Sequence, residues 1–506
     1  MARDAIVDTY PSDAIALAIK TAAGLRERSS KEHKSAWGQF FTPSVIAELM
    51  ANWIDTSREP VHLLDLGAGT GLLGICAAIR ALRTGAPAVH LVAVEREPEA
   101  IADLRLVLKT ATKSLGPRFT CKLIETNALD LSKLGQVELR SFDAVISNPP
   151  YSKISPRDKR GGDAPNVYAR FMEIGAELLR PKGQLIYITP RSFTSGLYFR
   201  RFRRRLHTRM TLERIHVFGS RKHAFKRDDV LQENLIVGYR KGASSSHRVT
   251  LTSSQGLDDL ASAHAFGCDR DKLLCPSNPE AVLFLPTSED DVATMCKVFA
   301  WPSSLHSLGL QVSTGKVVPF RTDRMRSHAS ATTVPLLWLQ HIVDGGVSWP
   351  LASGFRKPEH IERDPGSKLL VDNKTYILIR RFSAKEYPRR LMLGLVHRGE
   401  LPGNAIGLEN HINYVHRPAG QIDEVLALGL AAVLSSSVVD AFFRIQSGNT
   451  QVSATELRSL PLPAEATLRA LGNELQRRGR QLLADPQSID KIVGIYLIDR
   501  TNTVPE

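Results

Sequence analysis

Between Val61 and Tyr239 short apolar runs alternate with longer amphipathic stretches. The runs Val61 to Leu66, His90 to Val94, Lys122 to Glu125, Phe142 to Ser147, Gly183 to Thr189, Arg214 to Phe218 and Gln232 to Tyr239 are strand-length and flanked by polar or turn-forming residues. They predict β-strands. Leu72 to Arg83, Pro98 to Ser114, Val167 to Leu179 and Ser195 to Leu206 space their apolar residues as helices do. Strands separated by helices predict an α/β fold, a doubly wound sheet covered on both faces. Ligands of such a sheet bind at the carboxyl ends of its strands.

The rhythm stops after Lys241, where Ala243-Ser244-Ser245-Ser246-His247 opens a stretch of low hydrophobicity. From about Pro279 onward, strand-like pieces (Val334 to Leu339, Lys368 to Val371, Tyr376 to Ile379) accompany one long helical run, Ile422 to Arg444, without internal repeats. The expected division is a helical extension over 1–35, a first domain over 36–245, a linker over 246–285, and a mixed α+β domain with C-terminal helices over 286–506.

The 506 residues carry 43% hydrophobic and 23% charged positions, which suits cored domains and excludes a disordered chain. A formal charge of +14 makes a polyanion the expected large partner. Five cysteines (Cys76, Cys121, Cys268, Cys275, Cys296) are scattered without a Cys-x-x-Cys pair, which argues against a zinc site or disulfide framework and for reduced thiols. No metal is expected. The chain shows neither a leader pattern nor a run of eighteen apolar residues, so the expected location is cytoplasmic.

Two elements carry candidate chemistry. Asp65-Leu66-Gly67-Ala68-Gly69-Thr70-Gly71 joins a predicted strand to a predicted helix, where glycines let the backbone turn tightly against a ligand. Glu95 ends the next strand, placed to accept from ribose hydroxyls, and Asn127 follows the third, as an adenine contact or simply a turn former. The second element, Asn148-Pro149-Pro150-Tyr151, closes the fourth strand. The Asn148 side-chain oxygen and the Pro149 carbonyl are two acceptors for amine hydrogens, and Tyr151 offers a flat face. A conjugated exocyclic amine is a poor nucleophile until such acceptors draw its lone pair out of the ring. The pair of elements therefore suggests methyl transfer to a planar nitrogen.

Assembled in order with Gly38-Gln39-Phe40-Phe41-Thr42-Pro43 upstream, these residues resemble the gamma-class N6-adenine DNA methyltransferases, the TaqI-type and Eco57I-like enzymes of restriction-modification systems. The resemblance is strong over roughly residues 36 to 240. It implies a Rossmann-like methyltransferase sheet, a C-terminal target-recognition domain, S-adenosylmethionine as cofactor and double-stranded DNA as partner, with a separately encoded restriction endonuclease alongside. Carried over, Thr42 and Pro43 contact the methionine part, Asp65, Gly67 and Gly69 line the pocket, and Glu95 binds the ribose. Asn148, Pro149 and Tyr151 then hold the target adenine, with Phe225, in His223-Ala224-Phe225, stacked on its other face. The family often has an acidic residue where this chain has Asn127. Leu308 to Gly315 and Ser447 to Leu457 resemble parts of the recognition domain.

The helix-borne run Arg200-Arg201-Phe202-Arg203-Arg204-Arg205 cannot turn every arginine inward, so Arg203, Arg204 and Arg205 are the candidate phosphate contacts. A second basic concentration comprises Lys374, Arg380, Arg381, Lys385, Arg389 and Arg390. Methylation of RNA or of protein glutamine is the rival reading, since Asn-Pro-Pro-Tyr serves any planar nitrogen; an inactive DNA-binding protein and a dinucleotide oxidoreductase are further ones. With only a short stretch before Gly38, no nuclease activity is expected.

Overall fold

The computed structural model describes residues 12–498 apart from 29–41, 56–58, 131–139, 156–157, 220–232, 243–245, 276–277, 279, 344, 352–353, 364–367, 384–385 and 449. The chain forms two compact units that divide between Ser288 and Glu289.

The first unit opens with helices α1 (Ser12–Arg28) and α2 (Ser44–Ala51). There follow β1 (Val61–Leu66), α3 (Leu72–Arg83), β2 (Val89–Glu95), α4 (Pro98–Leu115), β3 (Phe119–Glu125) and β4 (Phe142–Ser147). Next come α5 (Val167–Leu178), β5 (Leu179–Pro190), α6 (Arg200–Arg209), β6 (Met210–Phe218) and β7 (Asn234–Lys241). The unit ends with β8 (Arg248–Ser254), β9 (Ala265–Asp269) and the short α7 (Arg270–Leu274). The nine strands form one sheet in the order β3-β2-β1-β4-β5-β7-β6-β8-β9. Strands β3 to β5 are mutually parallel, while β7 enters antiparallel to both β5 and β6.

Helices cover the sheet, so its central strands are nearly continuously apolar, as two-sided burial requires. Leu63, Leu91, Ile146, Ile186, Ile188 and Ile236 from the sheet join Ile75 and Ala78 of α3 and Leu104 and Val107 of α4 in one core. Helix α1 contributes Ala14 and Ala18 to that core, and its Arg28 pairs with Asp103 on α4 at 3.2 Å.

The expected linker over 246–285 is instead part of this unit. Strand β8 pairs in parallel with β6, from Arg214↔Thr250 to Phe218↔Ser254, and β9 closes the edge. Its thin apolar content comes from Thr and Ser on the strand positions of Arg248-Val249-Thr250-Leu251-Thr252-Ser253-Ser254, where only Val249, Leu251 and Ser254 are buried.

In the second unit, strands Gln311–Thr314, Ile412–His416, Tyr376–Arg380 and Leu393–Val396 form an antiparallel sheet in that spatial order. A five-stranded sheet runs Met325–Arg326, His360–Glu362, Thr333–Leu337, Ala405–Leu408 and Leu370–Asp372. The helical run expected over 422–444 is two helices, Glu424–Ser435 and Ser437–Gln446, bent by 61°. Ser436 adopts extended backbone between them, and its hydroxyl caps the second. The first packs against Glu465–Arg478 so closely that a Cβ on Gly429 would lie 1.8 Å from the Leu468 carbonyl. Among the described residues no single helix is long and apolar enough to cross a membrane.

Candidate active site

The strand order reverses at β1, whose neighbours are β2 on one side and β4 on the other. A doubly wound sheet opens a crevice at such a point. Here the crevice is a cleft of about 300 Å³, lined by Gly67 and Gly69 from the first loop, Glu95 and Arg96 from the second, Thr126 to Leu129 from the third, and Asn148, Pro150 and Ser152 to Ser155 from the fourth.

The loop after β1 turns through three left-handed glycines, Gly67, Gly69 and Gly71, at φ 79°, 55° and 86°. At Gly71 a Cβ would also strike Leu104 at 2.6 Å, so only glycine fits there. Asp65 does not line the cleft. It lies fully buried behind the loop, where its Oδ2 accepts from the Gly74 amide at 2.8 Å and Oδ1 has no partner among the described residues. Burial, opposed by that bond and reinforced by the Glu95 charge, lifts its carboxyl to about 7. The expected pocket-lining role thus becomes support of the loop from behind.

Glu95 is held by three backbone donors: Gly69 to Oε2 at 2.7 Å, and Arg96 and Glu97 to Oε1 at 2.7 and 3.0 Å. Each carboxylate oxygen offers two lone pairs, so Oε2 retains room for one further donor on the cleft side. Asn127 is engaged as a turn former, its Oδ1 accepting from Leu129 at 3.0 Å. Its Nδ2 is thereby left as the group to present to a ligand, a donor rather than the acceptor an acidic residue would be. Thr126, which the sequence reading passed over, is 8% exposed, and its Oγ1 lacks a hydrogen-bond partner among the described residues. A buried hydroxyl without a partner, on a residue that lines a nucleoside-sized cleft, is a feature a bound ligand can satisfy. Glu95, Thr126 and the Asn127 amide, with apolar Leu25, Ala128 and Phe171, therefore fit the adenosine portion of S-adenosylmethionine.

At the tip of β4, the Asn148 Nδ2 donates to Thr42 Oγ1 at 3.0 Å, and its Oδ1 accepts from the Tyr151 hydroxyl at 3.1 Å. Pro43 takes the N-cap position of α2, and the Thr42 hydroxyl turns to Asn148. That contact orients the amide, sending its oxygen the opposite way. No described residue donates to the Pro149 carbonyl. Burial, with Tyr168 adding to it, raises the Tyr151 phenol above its ordinary range, so it stays a donor. The Tyr151 ring meets Tyr168 edge-on at 6.2 Å. Phe225 and Gly38 to Phe41 lie outside the described residues.

The arginine expectations separate. Arg203 is 0% exposed, and its guanidinium donates to the carbonyls of Phe193, Gly196, Glu280 and Ala281 at 2.6–2.8 Å. That is a structural clamp, which corrects its assignment as a phosphate contact. Arg205 is partly exposed and pairs with Glu173 at 2.6 Å, while Arg204 is exposed. The second basic concentration is also largely internal: Arg390 is fully buried, Arg380 and Arg381 donate to the Ile342 and Asn410 carbonyls, and Arg389 pairs with Asp490. Lys385 lies outside the described residues.

A doubly wound sheet with a glycine-turned cleft at its switch point is the arrangement of S-adenosylmethionine-dependent methyltransferases, the class to which fold and cleft assign the chain. Residues 91–225 match the Eco57I restriction-modification methylase family. The chain is 34% identical to the type II methyltransferase M.PstI of Providencia stuartii over 87% of its own length and 90% of that protein's. It is 32% identical to the type II methyltransferase M.BsuBI of Bacillus subtilis, again over 87% and 90%. The type IIL restriction-modification enzyme MmeI, solved in complex with DNA, shares the fold over 98% of this chain and 76% of its own, with a TM-score of 0.54 at 12% identity. The chain belongs to the type II DNA methyltransferases of restriction-modification systems. Its cofactor is S-adenosylmethionine.

Proposed function

We propose that the chain methylates the exocyclic N6 of an adenine rotated out of duplex DNA. The single observation that carries this reading is the Asn148 amide, tied through Nδ2 to Thr42 so that its oxygen, beside the open Pro149 carbonyl, serves as an acceptor. Two acceptors on the two amine hydrogens withdraw the nitrogen lone pair from the purine ring and make it nucleophilic. Thr42 sets the orientation, Tyr151 supports the Asn148 oxygen and supplies a face for the base, and Phe225 takes the other face. Glu95, Thr126, Asn127, Gly67 and Gly69 hold the adenosine portion of the cofactor, with Asp65 fixing the loop. Bound S-adenosylmethionine supplies a methyl group activated by its sulfonium. The methylated amine releases one proton along its hydrogen bonds toward water, and no covalent attachment to the protein is required.

Base chemistry is blocked within a stacked duplex, which is why extrusion precedes transfer. The second unit reads the recognition sequence, and exposed cations of the first, Arg204 among them, meet phosphates. Within its system the enzyme acts in the cytoplasm, protecting host DNA from a separately encoded endonuclease of the same specificity. The test is to supply labelled S-adenosylmethionine with plasmid DNA and identify the product base by mass spectrometry. N6-methyladenine supports the reading; label found on RNA, on polypeptide or on cytosine overturns it.

A further inference from the structure

Loops after β4 and β5 leave the sheet on one edge, because those strands are parallel. The β5 loop ends in a single 3-10 turn, Leu197–Phe199, that exposes two apolar side chains: Tyr198 is 87% exposed and Leu197 53%. Such side chains on a loop tip are costly to leave in water unless the loop is used, yet this loop is unusually well held. The buried Arg203 guanidinium bonds the carbonyls of Phe193 and Gly196 at 2.7 and 2.8 Å, fixing the segment that leads into the turn. Phe199, the residue after Tyr198, stacks on Tyr168 with centroids 5.6 Å apart and planes at 18°. Tyr168 in turn meets the Tyr151 ring edge-on, and its hydroxyl bonds Ser192 Oγ at 2.9 Å in the same loop. The exposed tip is thus packed, through two aromatic contacts, against the residue proposed to hold the target base. Arg201 and Arg204, both exposed, follow on the helix that the turn leads into.

We infer that Leu197 and Tyr198 are a DNA wedge that enters the base stack beside the extruded adenine and holds the duplex open. This inference rests on the reading of the chain as an enzyme that rotates its target out of the helix. An apolar wedge between base steps is a known way to stabilise such a distortion, and flanking arginines neutralise the phosphates it approaches. The rigid mount suits the task, since a wedge that gave way would not offset the cost of unstacking.

The test uses the full-length enzyme and two duplexes carrying its own site, located by sequencing methylated DNA: one keeps the target adenine and reports methylation, and the other replaces it with 2-aminopurine, which has no N6 to methylate, and reports extrusion alone. Wild-type methylation of the matched site is the control, and its failure would count against the enzymatic reading rather than the wedge. In the double variant Leu197→Ala/Tyr198→Ala, extrusion signal and single-turnover methylation of the matched duplex should fall on the order of tenfold, the factor of about 1.4 kcal/mol. Cofactor affinity should not change. Placing an abasic site opposite the target removes the pairing to be broken and should restore methylation by the variant. Tyr198→Phe, which keeps the ring, should rescue the extrusion signal. Equal losses on matched and abasic duplexes, or no loss on either, would overturn the inference.

Discussion

Ser147 donates its hydroxyl hydrogen to the Leu66 carbonyl at 2.5 Å, with both side chains fully buried. Ser147 precedes Asn148 and Leu66 precedes Gly67, so this bond joins the strand tip proposed to grip the target to the one proposed to turn around the cofactor. The reacting groups come from different loops, and catalysis by orientation tolerates little relative drift between them. Ser147→Ala should cost about 1 to 2 kcal/mol of stability through loss of a buried hydrogen bond. Thermal melts should show that loss, and single-turnover methylation should slow by more than the fraction unfolded explains. An unchanged rate at a temperature where the variant is folded would remove the bond from the machinery.

Thr42 separates two roles for the upstream motif. If its hydroxyl orients the Asn148 amide, Thr42→Val, which keeps the shape, should lower kcat on the order of tenfold while leaving the Kd for S-adenosylmethionine near wild type. If it chiefly contacts the methionine portion, that Kd should rise instead. Equilibrium dialysis beside single-turnover kinetics decides between them. Asn148→Ala should abolish transfer in either case and retain cofactor binding.

Asp65 gives the first unit a pH-dependent stability. Its folded-state carboxyl sits at about 7, above the ordinary carboxyl value near 4, so the folded protein holds the proton more tightly than the unfolded chain. The contribution is therefore fully present below about pH 4 and declines as pH rises through about 7. Asp65→Asn keeps an acceptor for the Gly74 amide and removes the ionisation. Its Tm should exceed that of wild type at about pH 8 and the difference should shrink toward about pH 5. A difference that is constant across that range would contradict the assignment.

Arg203 and Arg204 are adjacent in sequence and opposite in consequence. Arg203→Ala strips partners from four carbonyls and should destabilise the first unit by several kcal/mol, on the order of the larger single-mutant effects. Arg204→Ala should leave the melting temperature within about a degree or two but reduce the slope of log affinity against log salt by about one. A fluorescence-anisotropy salt titration beside a thermal melt checks both.

Much of the first unit was legible because two-sided burial writes apolar runs between glycine turns. Strands at Val61–Leu66 and Phe142–Ser147, and the helix Leu72–Arg83, fall at the residues the pattern predicts. Edge strands were not: Arg248–Ser254 buries only Val249, Leu251 and Ser254 and is otherwise mostly Thr and Ser, which read as linker. Charge misled for a related reason. A sequence displays Arg203 as a cation, but nothing local tells that the carbonyls of Glu280 and Ala281 reach it from a segment far along the chain. Thr126 was invisible because its significance is a missing partner, a property of three-dimensional packing. The motif residues Asn148, Glu95 and Gly67 were legible as chemistry, while the contact joining Thr42 to Asn148 spans a separation that no local pattern encodes.

The first helix bears on how the enzyme should be trimmed. Thr70, in the middle of the glycine loop, donates to the Ala18 carbonyl at 3.2 Å, and Leu25 of the same helix forms part of the cleft wall. A fragment starting at the first recognisable motif would keep every signature residue and still lose one side of its nucleoside pocket. Through Leu25 and Ala18 the helix over residues 12–28 borders the cleft proposed to hold the cofactor, and shortened versions should weaken in cofactor affinity before they weaken in DNA affinity.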